Sequence, residues 1–191
     1  MAEPTYLRIV AGEWRGRRIK VPPAGVRPTA DRVREAWFSI IQPSVDGARV
    51  VDLCAGSGAL GLEALSRGAA HCDFVEQDPA VRRVLEENIA ALGAGARSTV
   101  HRGNALSVID AVAADLPAPR WDLAFADPPY GTSLAQSLAE RWLRAPFATI
   151  FGAEHEASLA LPSYADGSSP RRRAYGITAL TFYHHTEQDQ T

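Results

Sequence analysis

Cysteine is nearly absent: Cys54 and Cys72 are the only two in 191 residues, and no CxxC occurs. That excludes a disulfide framework and a cysteine zinc site, and it favours a reducing compartment. Apolar runs are short, all broken well before the ~18 residues of a membrane span. The N-terminal MAEPTYLRIVAGEWRGRR carries an early acid and no apolar core, so no secretory signal is expected. Lysine is also scarce, with Lys20 the only one among 20 basic residues. Apolar residues at 46% and charged residues at 22% exclude a disordered or fibrous chain. What remains is a soluble cytoplasmic globular protein of one domain; a monomer without metal or membrane is the expectation.

The charge is unevenly placed. The whole chain carries −2, but residues 1–36 carry +4 and the rest −6. A basic arm on an acidic body suits a polyanionic partner. Arginine suits it best, because its planar guanidinium grips phosphate in two places and stacks on bases. A G+C-rich gene would also favour arginine over lysine, but it would not produce the split.

Apolar periodicity gives the architecture. Residues 6–11 and 17–21 read as a β-hairpin around Gly12-Glu13-Trp14-Arg15-Gly16. Pro22-Pro23-Ala24-Gly25 ends it. A helix capped by Thr29 or Asp31 runs to Ile41, with Val33, Ala36, Trp37, Ile40 and Ile41 on one face. From residue 48 strands and helices alternate. Strands are expected at 48–53, 72–76, 99–102, 121–126 and 148–153. Helices are expected at 59–67, 80–92, 105–114 and 134–144. The first two end at Gly68 and Gly93. Residues 156–161 are ambiguous. Residues 171–175 and 177–184 pair around Gly176. This is an α/β class: a doubly wound, mostly parallel sheet with helices on both faces and an antiparallel edge. Its ligands bind outside the C-terminal strand ends.

Four motifs fall at those ends. Asp52-Leu-Cys-Ala-Gly-Ser-Gly58-Ala-Leu-Gly61 joins a strand to a helix. Its GxGxxG string alone is weak. Asp52 discriminates, because a carboxylate there repels a pyrophosphate and welcomes a cationic amino-acid end, as in S-adenosylmethionine (SAM). A tight turn without ligand is the bland alternative. Glu76 ends the second strand and can accept both ribose hydroxyls. A solvated strand-end acid is its alternative. Asn104, before Ala105, offers a donor and an acceptor to an adenine edge, or simply caps a helix. Asp127-Pro128-Pro129-Tyr130 is the most specific string. Its carboxylate and the Pro128 carbonyl can accept the hydrogens of a planar amine while Tyr130 stacks on the ring.

Asp-Pro-Pro-Tyr after the fourth strand of the alternating series, with the acid-and-glycine loop after its first, resembles the class I SAM-dependent amino-methyltransferases. Arg8-Ile-Val-Ala-Gly-Glu-Trp-Arg-Gly-Arg-Arg, Arg27-Pro-Thr-Ala-Asp-Arg-Val-Arg-Glu35 and 52–68 narrow the likeness to the RsmD-type 16S rRNA guanine-N2 methyltransferases, over nearly the whole chain. The resemblance implies a seven-strand sheet with an N-terminal hairpin extension (1–25), a methyltransferase domain (26–185) and a short tail (186–191). It implies SAM held by Thr29, Asp52, Ala55, Gly56, Gly58, Glu76, Asn104 and Ala105. It assigns Asp127, Pro128 and Tyr130 to catalysis. Trp14, Arg15, Arg17, Arg18, Pro129 and Tyr130 are expected on the RNA. Cys54 stands where such proteins often have phenylalanine. A DNA adenine or other Asp-Pro-Pro-Tyr amino-methyltransferase, an NAD oxidoreductase and a non-enzymatic RNA-binding assembly factor are the rival readings.

Overall fold

The alternation is realised almost element for element in the computed structural model, which describes residues 5–22, 30–113 and 119–185. A hairpin comes first, β1 (Thr5–Arg8) and β2 (Arg18–Val21), followed by α1 (Ala30–Ile41). Then come β3 (Arg49–Asp52), α2 (Ala59–Ser66), β4 (His71–Glu76), α3 (Pro79–Leu92), β5 (Ser98–Arg102) and α4 (Ala105–Ala113). β6 (Trp121–Ala126), α5 (Leu134–Arg144), β7 (Ala148–Glu156), β8 (Arg171–Tyr175) and β9 (Thr178–His184) complete it. Thr29 and the proposed boundary at residue 25 lie outside the described residues, as does the tail from 186.

β3 to β9 form one seven-stranded sheet in the order β5-β4-β3-β6-β7-β9-β8. β3, β4, β5, β6 and β7 are parallel, while β9 runs antiparallel to both β7 and β8. The chain builds outward from β3 to β5, then returns to the other side of β3 with β6. That reversal puts a crevice between the C-terminal ends of β3 and β6. Asp52 pairs with Phe125 in this register, so Asp52 and Asp127 come to neighbouring strand tips.

Two apolar clusters cover the two faces of the sheet. One holds Val33, Trp37 and Phe38 of α1, Leu62 and Leu65 of α2, and Leu85 and Ile89 of α3. The other holds Ile109, Leu138, Trp142, Phe151 and Tyr183. Trp37 packs edge-on against Phe125 and Phe182, with centroids 5.5 and 5.1 Å apart. A Cβ on Gly152 would sit 2.3 Å from the Trp37 ring, so this indole fits only over a bare backbone.

The hairpin has its own two-stranded sheet but not its own core. Ile9, Trp14 and Ile19 belong to the first cluster. Glu63, the one charged residue of α2, is fully buried and accepts from Val10 N–H (2.7 Å), Ala11 N–H (3.0 Å) and Arg67 Nε (2.7 Å). Ser66 Oγ accepts from Trp14 N–H and donates to the Ala11 carbonyl. Gly12, at φ 83°, lies so close that a Cβ would fall 1.7 Å from the Ser66 carbonyl oxygen. On the other side, Asn88 of α3 exchanges hydrogen bonds with the Lys20 backbone and donates to the Ser57 carbonyl. The extension is therefore clamped to α2 and α3.

Candidate active site

The first loop crosses the tips of both strands beside β3. Leu53 N–H donates to the Phe125 carbonyl (2.8 Å), and Ala55 N–H to that of Val75 (3.0 Å). Gly56 and Gly58 have φ of 54° and 84°, a region that L side chains rarely adopt. A Cβ on Gly58 would press to 2.6 Å from Leu85, whereas one on Gly56 would meet open space. The loop is thus packed beneath Gly58 and bare above Gly56.

Asp52 is 1% exposed. Its Oδ2 accepts the Gly61 N–H (3.1 Å), but the buried Oδ1 has no hydrogen-bond partner. Burial pushes its pKa up to about 7. The Gly61 N–H opposes this rise, and the negative charges of Asp127 and then Glu76 add to it. A buried carboxylate left with an idle oxygen is costly alone and becomes favourable when a cation arrives. A ligand with an ammonium or sulfonium group fits this site, and a pyrophosphate does not.

Glu76 sits half-buried at the tip of β4. Gly56 N–H donates to its Oε2 (3.0 Å) and Asp78 N–H to its Oε1 (2.8 Å). These bonds fix the carboxylate beside the loop and leave lone pairs for hydroxyl donors. Asn104 is exposed after β5, and its Oδ1 caps α4 through Ser107 N–H (2.9 Å). The capping reading is therefore realised. It leaves the Asn104 amide NH₂ and the first-turn N–H of Ala105 for a base edge.

The fourth motif stands across the crevice. Asp127 is exposed at the tip of β6, Pro128 is buried, Pro129 exposed and Tyr130 half-buried. Burial pushes the Cys54 thiol's pKa far up, the nearby charges of Asp52 and Asp127 add to the rise, and the thiol is a poor nucleophile. Tyr130 OH is hydrogen-bonded to Thr178 Oγ1 of β9, and Thr132 Oγ1 donates to the Pro129 carbonyl (2.8 Å). Gly131 N–H donates to Glu156 Oε1 (3.0 Å). Pro128, Pro129, Tyr130, Gly131 and Thr132 wall an open cleft of about 130 Å³, with Glu154, His155, Glu156 and Leu159 also lining it. No group of three or more metal-ligating side chains occurs among the described residues.

The expected RNA arm needs correction. Trp14 is 5% exposed, packed in the core with Arg97 above its ring at 4.9 Å, so it has no face free for a base. Arg17 donates to the Ala91 carbonyl (2.6 Å), and Arg34 is buried, bonded to the Arg8 carbonyl (2.7 Å). Part of the arm's charge is thus structural. Arg15 is exposed, as is Arg18, whose guanidinium lies 5.9 Å from the Tyr6 ring. Sequence reasoning missed Glu63, Ser66, Thr178 and Glu156. Glu63 carried a signal, a lone acid in an apolar helical run.

The family profile described as Conserved hypothetical protein 95 matches residues 7–184. A ribosomal RNA small subunit methyltransferase D from Escherichia coli is 38% identical, covering 97% of this chain and 93% of its own. A putative rRNA methyltransferase from Bacillus subtilis is 34% identical, covering 93% and 98%. The solved structure of a putative methyltransferase from Escherichia coli aligns with TM-score 0.79 at 35% identity, over 95% and 98% of the two chains. With a buried carboxylate holding an idle oxygen and a proline-stiffened acidic loop at neighbouring strand tips, and this likeness end to end, the chain belongs to the RsmD-type family of rRNA methyltransferases.

Proposed function

We infer that this protein transfers a methyl group from SAM to the exocyclic 2-amino group of one guanine in 16S rRNA, within the small ribosomal subunit or an assembly intermediate. The observation that carries the reading is the junction of the two loops. The idle, buried Asp52 Oδ1 and the Asp127-Pro128-Pro129-Tyr130 loop lie on neighbouring strand tips.

SAM supplies an electrophilic methyl on a sulfonium, so neither a metal nor a covalent enzyme intermediate is needed. Asp52 and the Ala55–Gly58 backbone would hold its methionine end, Glu76 its ribose, and Asn104 with Ala105 its adenine. Thr29 precedes α1 in the Arg-Pro-Thr block and is proposed near the methionine. Asp127 and the Pro128 carbonyl accept the two amine hydrogens, which favours a pyramidal nitrogen with its lone pair turned to the methyl. The proton released from that nitrogen passes to the exposed Asp127 carboxylate and on to water. Tyr130, anchored through Thr178, stacks on the base; stacking is worth roughly 1–3 kcal/mol per base. Alignment of the reactants can supply on the order of 7–11 kcal/mol. The guanine must leave its stack to reach the cleft, which favours a loop nucleotide. Arg15 and Arg18 are proposed to hold rRNA phosphates. The protein acts as a cytoplasmic monomer.

A DNA adenine methyltransferase would use the same loop chemistry. The test is tritium-methyl transfer to small subunits from a strain lacking the gene, to free 16S rRNA and to DNA, followed by nucleoside analysis. N2-methylguanosine from subunits supports the reading. Label in adenine or in DNA alone overturns it.

A further inference from the structure

We propose that Glu156 is the group that reads guanine, accepting the ring N1–H of the base whose amine is methylated. This rests on the function proposed above and concerns a residue that the acceptor motif does not contain. Asp127 and the Pro128 carbonyl recognise an amine, and guanine and adenine both carry one. Something else must tell the two purines apart.

The two bases differ beside the amine. Guanine has a donor at N1, whereas adenine has a bare acceptor there. A reader of guanine must therefore be a hydrogen-bond acceptor on the cleft wall. Glu156 and Glu154 both line the cleft, two residues apart on one face of β7. Glu156 is held in place, because its Oε1 accepts the N–H of Gly131, the residue after the stacking Tyr130. Its Oε2 makes no hydrogen bond among the described residues. β7 pairs Glu156 with Thr178, the same Thr178 that anchors the Tyr130 hydroxyl. The carboxylate on β7 and the ring on the loop after β6 thus share one support. An acceptor-only carboxylate beside a stacked purine favours N1–H and repels a bare N1.

A bond to a charged acceptor is worth about 10- to 100-fold in discrimination. The test uses small subunits reconstituted with 16S rRNA that carries guanine or 2-aminopurine at the methylated nucleotide. 2-Aminopurine keeps the amine but has a bare N1. The wild type should favour guanine in kcat/KM. Glu156→Ala should reduce that preference about 10- to 100-fold with unchanged SAM affinity. Glu156→Gln keeps an acceptor for Gly131 and presents an amide donor to the cleft. It should lower kcat/KM on guanine while raising it on 2-aminopurine, an opposite-sign response that loss of packing would not give. If both variants retain the wild-type ratio, Glu156 is not the reader. If the wild type labels no guanine amine in native subunits, the proposed function itself fails, and this inference with it.

Discussion

Replacing Asp52 by Asn should stabilise the ligand-free protein, and the gain should grow with pH. Asp52 is buried with one idle oxygen, and its folded pKa of about 7 lies well above the ordinary carboxylate value of 3.8. A raised carboxyl pKa means that the folded state holds its proton longer than the unfolded chain. Stability therefore falls as pH rises from about 4 to 7, and the cost is constant above that. Three pH units correspond to roughly 4 kcal/mol at the plateau. Integrating between pH 5 and pH 8 gives a change of roughly 2–3 kcal/mol attributable to this one group. For a chain of this length that is about 5–10 °C in melting temperature. The assay is urea or thermal unfolding of both proteins at pH 5, 6, 7 and 8, without ligand. The difference, Asn minus Asp, should rise across the series and flatten above pH 7. SAM should reverse the order, because its cation favours the ionised form that burial disfavours. Between pH 6 and 7.5 the ionised fraction of Asp52 rises several-fold, and wild-type SAM affinity should follow. A difference independent of pH would refute the account of Asp52 as a strained, cation-seeking carboxylate.

Glu76→Ala should weaken SAM by about tenfold or more in calorimetry, because charged-acceptor bonds are worth roughly 1.5–3 kcal/mol and this change also frees Gly56 N–H; unchanged affinity would remove Glu76 from the ribose. Asp127→Ala should abolish methyl transfer and leave SAM affinity nearly intact; turnover above about a tenth of wild type, a loss under ~1.4 kcal/mol, would refute its role at the amine. Tyr130→Phe should cost little and Tyr130→Ala much, read as kcat/KM on subunits. Glu63→Ala should destabilise the fold by about 3–5 kcal/mol in urea unfolding, since it strands Arg67 and two hairpin N–H groups. Arg15→Glu with Arg18→Glu should reduce subunit binding and lower its salt dependence while sparing SAM; an unchanged salt slope would remove the hairpin from the RNA interface.

The strand–helix alternation was legible because burial writes a period of 2 or 3.6 into each segment. The site motifs were legible because strand ends, glycine turns and helix starts are local. Asp52 with Gly56, Glu76, and Asp127 fall at the tips of β3, β4 and β6 for that reason. β7 was read short, ending at 153. The polar Glu154-His155-Glu156 hid a strand whose partner is β9, which continues the pairing to Thr178. The same hidden extension concealed the far wall of the cleft.

The charge split along the chain was plain from sequence, but what it meant was not. Trp14 looks like an exposed loop aromatic until Ser66, 52 residues away, draws its backbone down onto α2. Arg17 and Arg34 look free until carbonyls of Ala91 and Arg8 take them. Because the hairpin shares the core, removing residues 1–20 would strip Glu63, Ser66 and Asn88 of their hairpin partners and test folding as much as recognition. Sequence by itself determined the elements, their order and the residues at their ends, since those depend on neighbours along the chain. Tertiary structure alone decided which of those ends meet, how far Asp52 is starved of partners and which arginines remain available. Pairing between distant segments and the loss of water around a group depend on what folds against them.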